Sequence, residues 1–184
     1  MVTKNNTDEL INIICSEKSA EDKFDAIVIK GLPLEISNKI CIQICRRVIE
    51  TLKSVSQETC LLGENVIEIL ELYEKKKIYK ENSAAKLLKR IHYDIENSSF
   101  HYEKIRTFKF ALENFLNSEG LPLTPPYDNA LRDCAWNAAK IWDTEDTKIP
   151  SYYLNEYEIN FTYLLELVCE YYKLNMKTLM VLYG

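Results

Sequence analysis

An all-α bundle of about seven to nine helices is the fold this sequence predicts, on three observations. Glycine occurs only at Gly31, Gly63, Gly120 and Gly184, where average usage of roughly 7% would give about thirteen. The positive backbone angles that tight hairpins and phosphate-cradling loops need are therefore scarce. Apolar residues recur every three or four positions along most of the chain, the spacing of one helix face. The breaks between these stretches carry the Ser, Asn, Gly and Pro residues that start and stop helices.

The first helix is expected from a cap at Thr7 through Leu10, Ile13 and Ile14. Ser19 caps the second, where Glu21 and Asp22 suit the positive end of the dipole. Phe24, Ile27 and Val28 form its inner face, and Gly31 followed by Pro33 stops it. The third helix has the clearest stripe: Ile36, Ile40, Cys41, Ile44, Val48, Leu52 and Val55, with Lys39, Arg46, Arg47, Glu50 and Lys53 between them. A fourth turns Val66, Ile67, Ile69, Leu70 and Tyr73 inward and ends in Lys75, Lys76 and Lys77. The fifth starts near Ser83 and carries Leu87, Leu88, Ile91 and Ile95.

Asn97-Ser98-Ser99 then caps a sixth helix with Tyr102, Ile105, Phe108, Leu112, Phe115 and Leu116 inward, running to Gly120. Residues 121–127 hold three prolines, which exclude helix and favour an extended connector. The seventh helix begins near Asp128, and the eighth has Pro150 in its first turn. Leu154, Tyr157, Phe161, Leu164, Leu165, Val168, Cys169 and Tyr172 are its apolar positions. Residues 176–183 read as a short ninth helix or a packed tail.

At 184 residues, with 47% apolar and 28% charged side chains, the chain is sized for one domain that buries about 70% of its unfolded surface. The expectation is a single all-α domain over residues 1–184, with a sub-boundary available at the proline connector 121–127. Two helices make a poor core alone, so the last pair is expected to pack back on the rest. The six cysteines, Cys15, Cys41, Cys45, Cys60, Cys134 and Cys169, fall mainly among apolar neighbours, where a thiol acts as a small hydrophobe. The N-terminus lacks a signal-peptide apolar core, and no apolar run nears the roughly 18 residues of a membrane span. These features predict a cytoplasmic chain with reduced thiols and no membrane partner.

The net charge of −5 is unevenly placed. Residues 1–72 carry 8 basic and 12 acidic side chains, residues 73–109 carry 10 and 5, and residues 110–184 carry 5 and 11. In the basic middle, Lys75, Lys76, Lys77, Lys80, Lys86, Lys89 and Arg90 lie among Tyr73 and Tyr79, an interleaving that single-strand binders use. The same lysines equally describe a solvated helix end, and an acidic pI of 5.2 argues against phosphate binding as the main role.

Catalytic motifs are missing. Two histidines cannot make a three-histidine zinc site, and neither stands in a His-Glu-x-x-His or Glu-x-x-His pattern. Four scattered glycines build no nucleotide-binding loop or nucleophile elbow. Cys41 and Cys45 stand four apart on one helical face, a packing arrangement. The candidate catalytic residues are His92 and His101, with Asp94, Glu96 and Glu103 nearby, because a histidine beside carboxylates is poised to exchange protons near neutral pH. No cofactor or metal is expected.

The C-terminal third holds a different pattern. Eight of the twelve tyrosines lie from Tyr127 onward, more than one helix can turn inward, and they flank the acidic run 143–146. Trp142, Asp143, Glu145, Asp146, Tyr152 and Tyr163 are the candidate partner-binding residues, since aromatics rimmed by polar groups suit protein interfaces. The leading expectation is a non-enzymatic interaction module, an adaptor, inhibitor or immunity-type protein, that meets a partner protein with a basic surface. A nucleic-acid-binding protein using residues 75–90, and a helical enzyme centred on His92 and His101, are the alternatives.

Overall fold

A computed structural model of the chain describes residues 4–53, 56–75, 81–97, 102–114, 128–141 and 150–175. These residues form eight helices and no strand: α1 Lys4–Ile14, α2 Ala20–Ile29, α3 Leu34–Leu52, α4 Gln57–Glu74, α5 Glu81–Asn97, α6 Tyr102–Glu113, α7 Asp128–Lys140 and α8 Pro150–Tyr172. The all-α expectation holds.

Local chemistry accounts for several boundaries. Ser19 has extended backbone angles and its hydroxyl accepts from the Asp22 amide at 3.1 Å, which caps α2. Gly31 follows α2 with φ +89°, a conformation in which a side chain would be strained. Ser56 caps α4 by accepting from the Thr59 amide at 3.2 Å, although its sequence gave no expectation of a cap. α1 starts at Lys4, so Thr7 lies inside the helix instead of capping it, and α5 starts two residues before Ser83. α8 stops at Lys173, whose φ of +55° is the left-handed angle usually given to glycine, while the Leu174 amide reaches back to the Cys169 carbonyl at 2.9 Å.

α3 and α7 are the central helices. α3 packs against α4, α6, α7 and α8, and α7 packs against α2, α3, α6 and α8. The small face of α7 allows this: Ala130, Leu131, Cys134, Ala135, Ala138, Ala139 and Ile141 are all buried. Of the α3 stripe, Ile36, Ile40, Cys41, Ile44, Val48 and Leu52 are buried, and Tyr157 of α8 meets Phe24 of α2 edge to face at 6.1 Å between centroids. Across the proline connector, α7 and α8 pack on α2, α3 and α6.

Two close approaches fix the frame. The Asn38 side chain donates to the Leu70 carbonyl at 2.7 Å, tying α3 to α4 inside the core. Gly63 of α4 sits against Phe108 of α6 and Ile49 of α3, and an added Cβ would lie only 2.8 Å from Ile49 Cγ1. No helix among the described residues is long and apolar enough to cross a membrane.

Candidate functional site

α8, like α4 with its five glutamates, carries acidic side chains and no base. It contains Glu156, Glu158, Glu166 and Glu170 and no lysine or arginine. Its buried stripe turns Glu156 inward and leaves Glu158, Glu166 and Glu170 exposed. Glu156 is buried against α3, where its carboxylate pairs with Arg47 and also accepts from the Asn160 side chain at 3.3 Å. A buried charge requires such compensation. This pair links α8 to α3.

Gln43 of α3 and Asn155, Glu158, Ile159, Thr162, Tyr163 and Glu166 of α8 line a groove of about 370 Å³. Ile159 is 36% exposed and Tyr163 is half-buried, so the groove has an apolar and aromatic centre. Glu158 and Glu166 flank that centre along the helix, and neither is in an ion pair among the described residues. Gln43 and Tyr163 also border a neighbouring groove with Lys39, Ile42, Arg46, Glu71, Glu74 and Lys75. There the three bases are matched: Arg46 and Lys75 pair with Glu71, and Lys39 pairs with Glu35. Glu35 holds the Lys39 ammonium above its usual pKa.

Of the residues singled out from the sequence, Tyr163 lies in this groove. Trp142, Asp143, Glu145 and Asp146 lie outside the described residues, as does the side chain of Tyr152. Gln43, Asn155, Glu158, Ile159, Thr162 and Glu166 are the groove residues that sequence reasoning missed. Glutamates on α8 without a base were a signal in the sequence, although α4, with five glutamates and no base, shares it.

The histidine corner assembles differently from its expectation. His92 is exposed on α5, and its Nε2 lies 3.7 Å from Glu113 of α6, a residue absent from the predicted set. Glu113 is already held by Lys109 at 2.8 Å, and Asp94 faces Arg90 at 3.7 Å. Glu96 is exposed and Glu103 half-buried, while His101 lies outside the described residues. The corner is a set of surface ion pairs with no cavity above it among the described pockets.

In the basic segment Lys75 pairs with Glu71, and Arg90 pairs with Glu58 at 2.5 Å and with Asp94. Lys86 and Lys89 are exposed on α5, and Lys76, Lys77 and Lys80 lie outside the described residues.

Cys41 and Cys45 pack in the core, as their spacing implied, and both face Cys134 of α7. Burial and contact with Cys134 push the Cys41 and Cys45 thiols well above their usual pKa. Burial opposes ionisation of Cys134 too, but the hydrogen bonds it receives from those two thiols draw it downward. All six cysteines are free. Among the described residues no group of three His, Cys, Asp or Glu side chains is placed to hold a metal ion.

No protein-family model, curated protein or solved structure matches the chain.

Proposed function

We propose that this protein is a non-enzymatic interaction module, an adaptor, inhibitor or immunity-type protein, whose groove over α3 and α8 docks a partner protein with a basic surface. One observation carries the reading: Glu158 and Glu166 flank the exposed Ile159 and the half-buried Tyr163, and both carboxylates stand outside any ion pair among the described residues. An unpaired carboxylate beside an apolar patch gains most when a cation arrives together with apolar surface, because the partner's desolvation is then offset by both contacts.

Electrostatics sets the partner's sign. Two carboxylates at the groove repel phosphates, so nucleic acid is disfavoured there. Steering by the same charges speeds association with a basic surface and weakens as salt screens them.

The test is affinity capture of the tagged protein from its host lysate, with and without nuclease, beside a Glu158→Lys/Glu166→Lys double variant. A stoichiometric, nuclease-resistant protein that the double variant loses supports the docking reading. Partners that vanish with nuclease and ignore the double variant overturn it and move attention to Lys86, Lys89 and Arg90.

A further inference from the structure

Resting on that docking reading, we infer that the occupant of the α3/α8 groove is a cationic amphipathic helix of the partner protein. It places one apolar anchor between two Lys or Arg residues about eight positions apart.

The walls of the groove decide between helix and extended chain. α3 and α8 are regular helices, and their backbone groups are already bonded within themselves. The described residues contain no strand, so no sheet edge is present to pair with a peptide backbone. An extended peptide in this groove would have its N–H and C=O groups met only by scattered side chains, Gln43, Asn155, Thr162, Tyr163 and the two carboxylates, with no continuous backbone ladder. A helix satisfies those groups internally and needs only side-chain contacts from its host.

The spacing of the charges then sets the motif. Glu158 and Glu166 are eight residues apart on α8, which is roughly 12 Å along the axis at about 1.5 Å per residue. A second helix laid beside α8 covers that distance in about eight residues of its own. Ile159 and Tyr163 fall between the two carboxylates, so the anchor belongs midway between the two cations. The neighbouring groove differs in that Lys39, Arg46 and Lys75 line it themselves, beside Glu71 and Glu74, and would repel the same cations.

The test uses the full chain, labelled with ¹⁵N, and a synthetic alanine-based peptide of about 18 residues, long enough for appreciable helix. The peptide carries a central leucine with a lysine about four residues to either side. The expected result is amide shifts centred on Gln43, Asn155, Thr162 and Tyr163. Affinity should fall about tenfold or more in Glu158→Lys/Glu166→Lys. It should hold within about threefold in Glu68→Lys/Glu96→Lys, which makes the same change in net charge at exposed sites away from the groove. A proline at the peptide's centre, which breaks its helix, should cost a comparable factor.

Equal binding of the proline peptide, equal loss in the two double variants, shifts centred elsewhere, or no binding overturns the helix inference. If the peptide fails while the captured partner still depends on Glu158 and Glu166, the docking reading stands and only its helical occupant falls.

Discussion

The α3/α8 groove and the α5/α6 corner hold much the same kinds of side chain, carboxylates beside aromatic or imidazole rings, but they are wired in opposite ways. At the corner the close charges are answered locally, Glu113 by Lys109, Asp94 by Arg90 and Arg90 again by Glu58, with Glu96 left exposed. Between α3 and α8 the compensated pair is Arg47 with the buried Glu156, and the groove carboxylates Glu158 and Glu166 are left open. Charge density alone therefore does not mark a binding surface. The informative quantity is charge that the fold leaves unanswered beside exposed apolar atoms.

The largest effect is expected where the two regions meet. Gly63 lies between Ile49 of the groove helix α3 and Phe108 of the corner helix α6. Gly63→Val should cost about 3 kcal/mol through overpacking, lowering the thermal midpoint by roughly 5–10 °C. Peptide binding by the fraction that remains folded should be unchanged, because Ile49 is not a groove residue. A binding loss as large as the stability loss would show that the groove is not an independent feature of the surface.

Next in size is the buried pair between α3 and α8. Glu156→Ala leaves Arg47 and Asn160 without the carboxylate they share, at a cost of about 2–3 kcal/mol measured by urea denaturation. The value is set below that of a fully buried pair because the Arg47 side chain is 26% exposed and retains water. A cost under about 0.5 kcal/mol would mean that the pair does not pin α8, and the contrast with the corner would lose its physical basis.

How far the chain could be read in advance follows the divide between local pattern and contacts made across the sequence. The stripes on α3 and α7 were legible because a core side chain is chosen by periodicity, and periodicity is local in sequence. The Ser19 cap was legible for the same reason, since donor and acceptor are three residues apart. Arg47 and Glu156 are 109 positions apart, and nothing local announces their meeting. The pairing of His92 with Glu113 was hidden likewise, because the packing of α5 on α6 decides it. The end of α8 was illegible for another reason: Lys173 takes a left-handed angle that tertiary context imposes against its preference. Tyr163 was found from the excess of tyrosines over buried positions. The unpaired glutamates beside it escaped notice because pairing is a property of neighbours in space.

The corner gives a smaller effect than the Arg47–Glu156 pair. Glu113→Ala should cost about 0.5–1 kcal/mol, since it removes the partner of Lys109, whose side chain is only 18% exposed, while His92 stays in water. The loss should shrink in about 1 M salt, as screening of partly exposed pairs requires. A salt-independent loss would locate the cost in packing instead of charge.

Smaller still, and of opposite sign, is the expected effect of the groove charges on folding. Glu158→Lys/Glu166→Lys relieves crowding of like charge on a helix that has no base, so stability should be unchanged or rise by a few tenths of a kcal/mol. Destabilisation by more than about 1 kcal/mol would mean the two carboxylates serve the fold, and their availability to a partner would no longer follow.

The smallest effect of all is expected at His92. It is about half exposed, and its one carboxylate neighbour at 3.7 Å already has a lysine. His92→Ala should leave stability within about 0.5 kcal/mol and leave capture of the partner unaltered. A catalytic imidazole behaves otherwise, since it needs a substrate within about 3 Å and a wall that excludes water. Should His92→Ala abolish the biological effect while stability and partner capture hold, the locally balanced corner would be the working site and the open charges of the groove would be incidental.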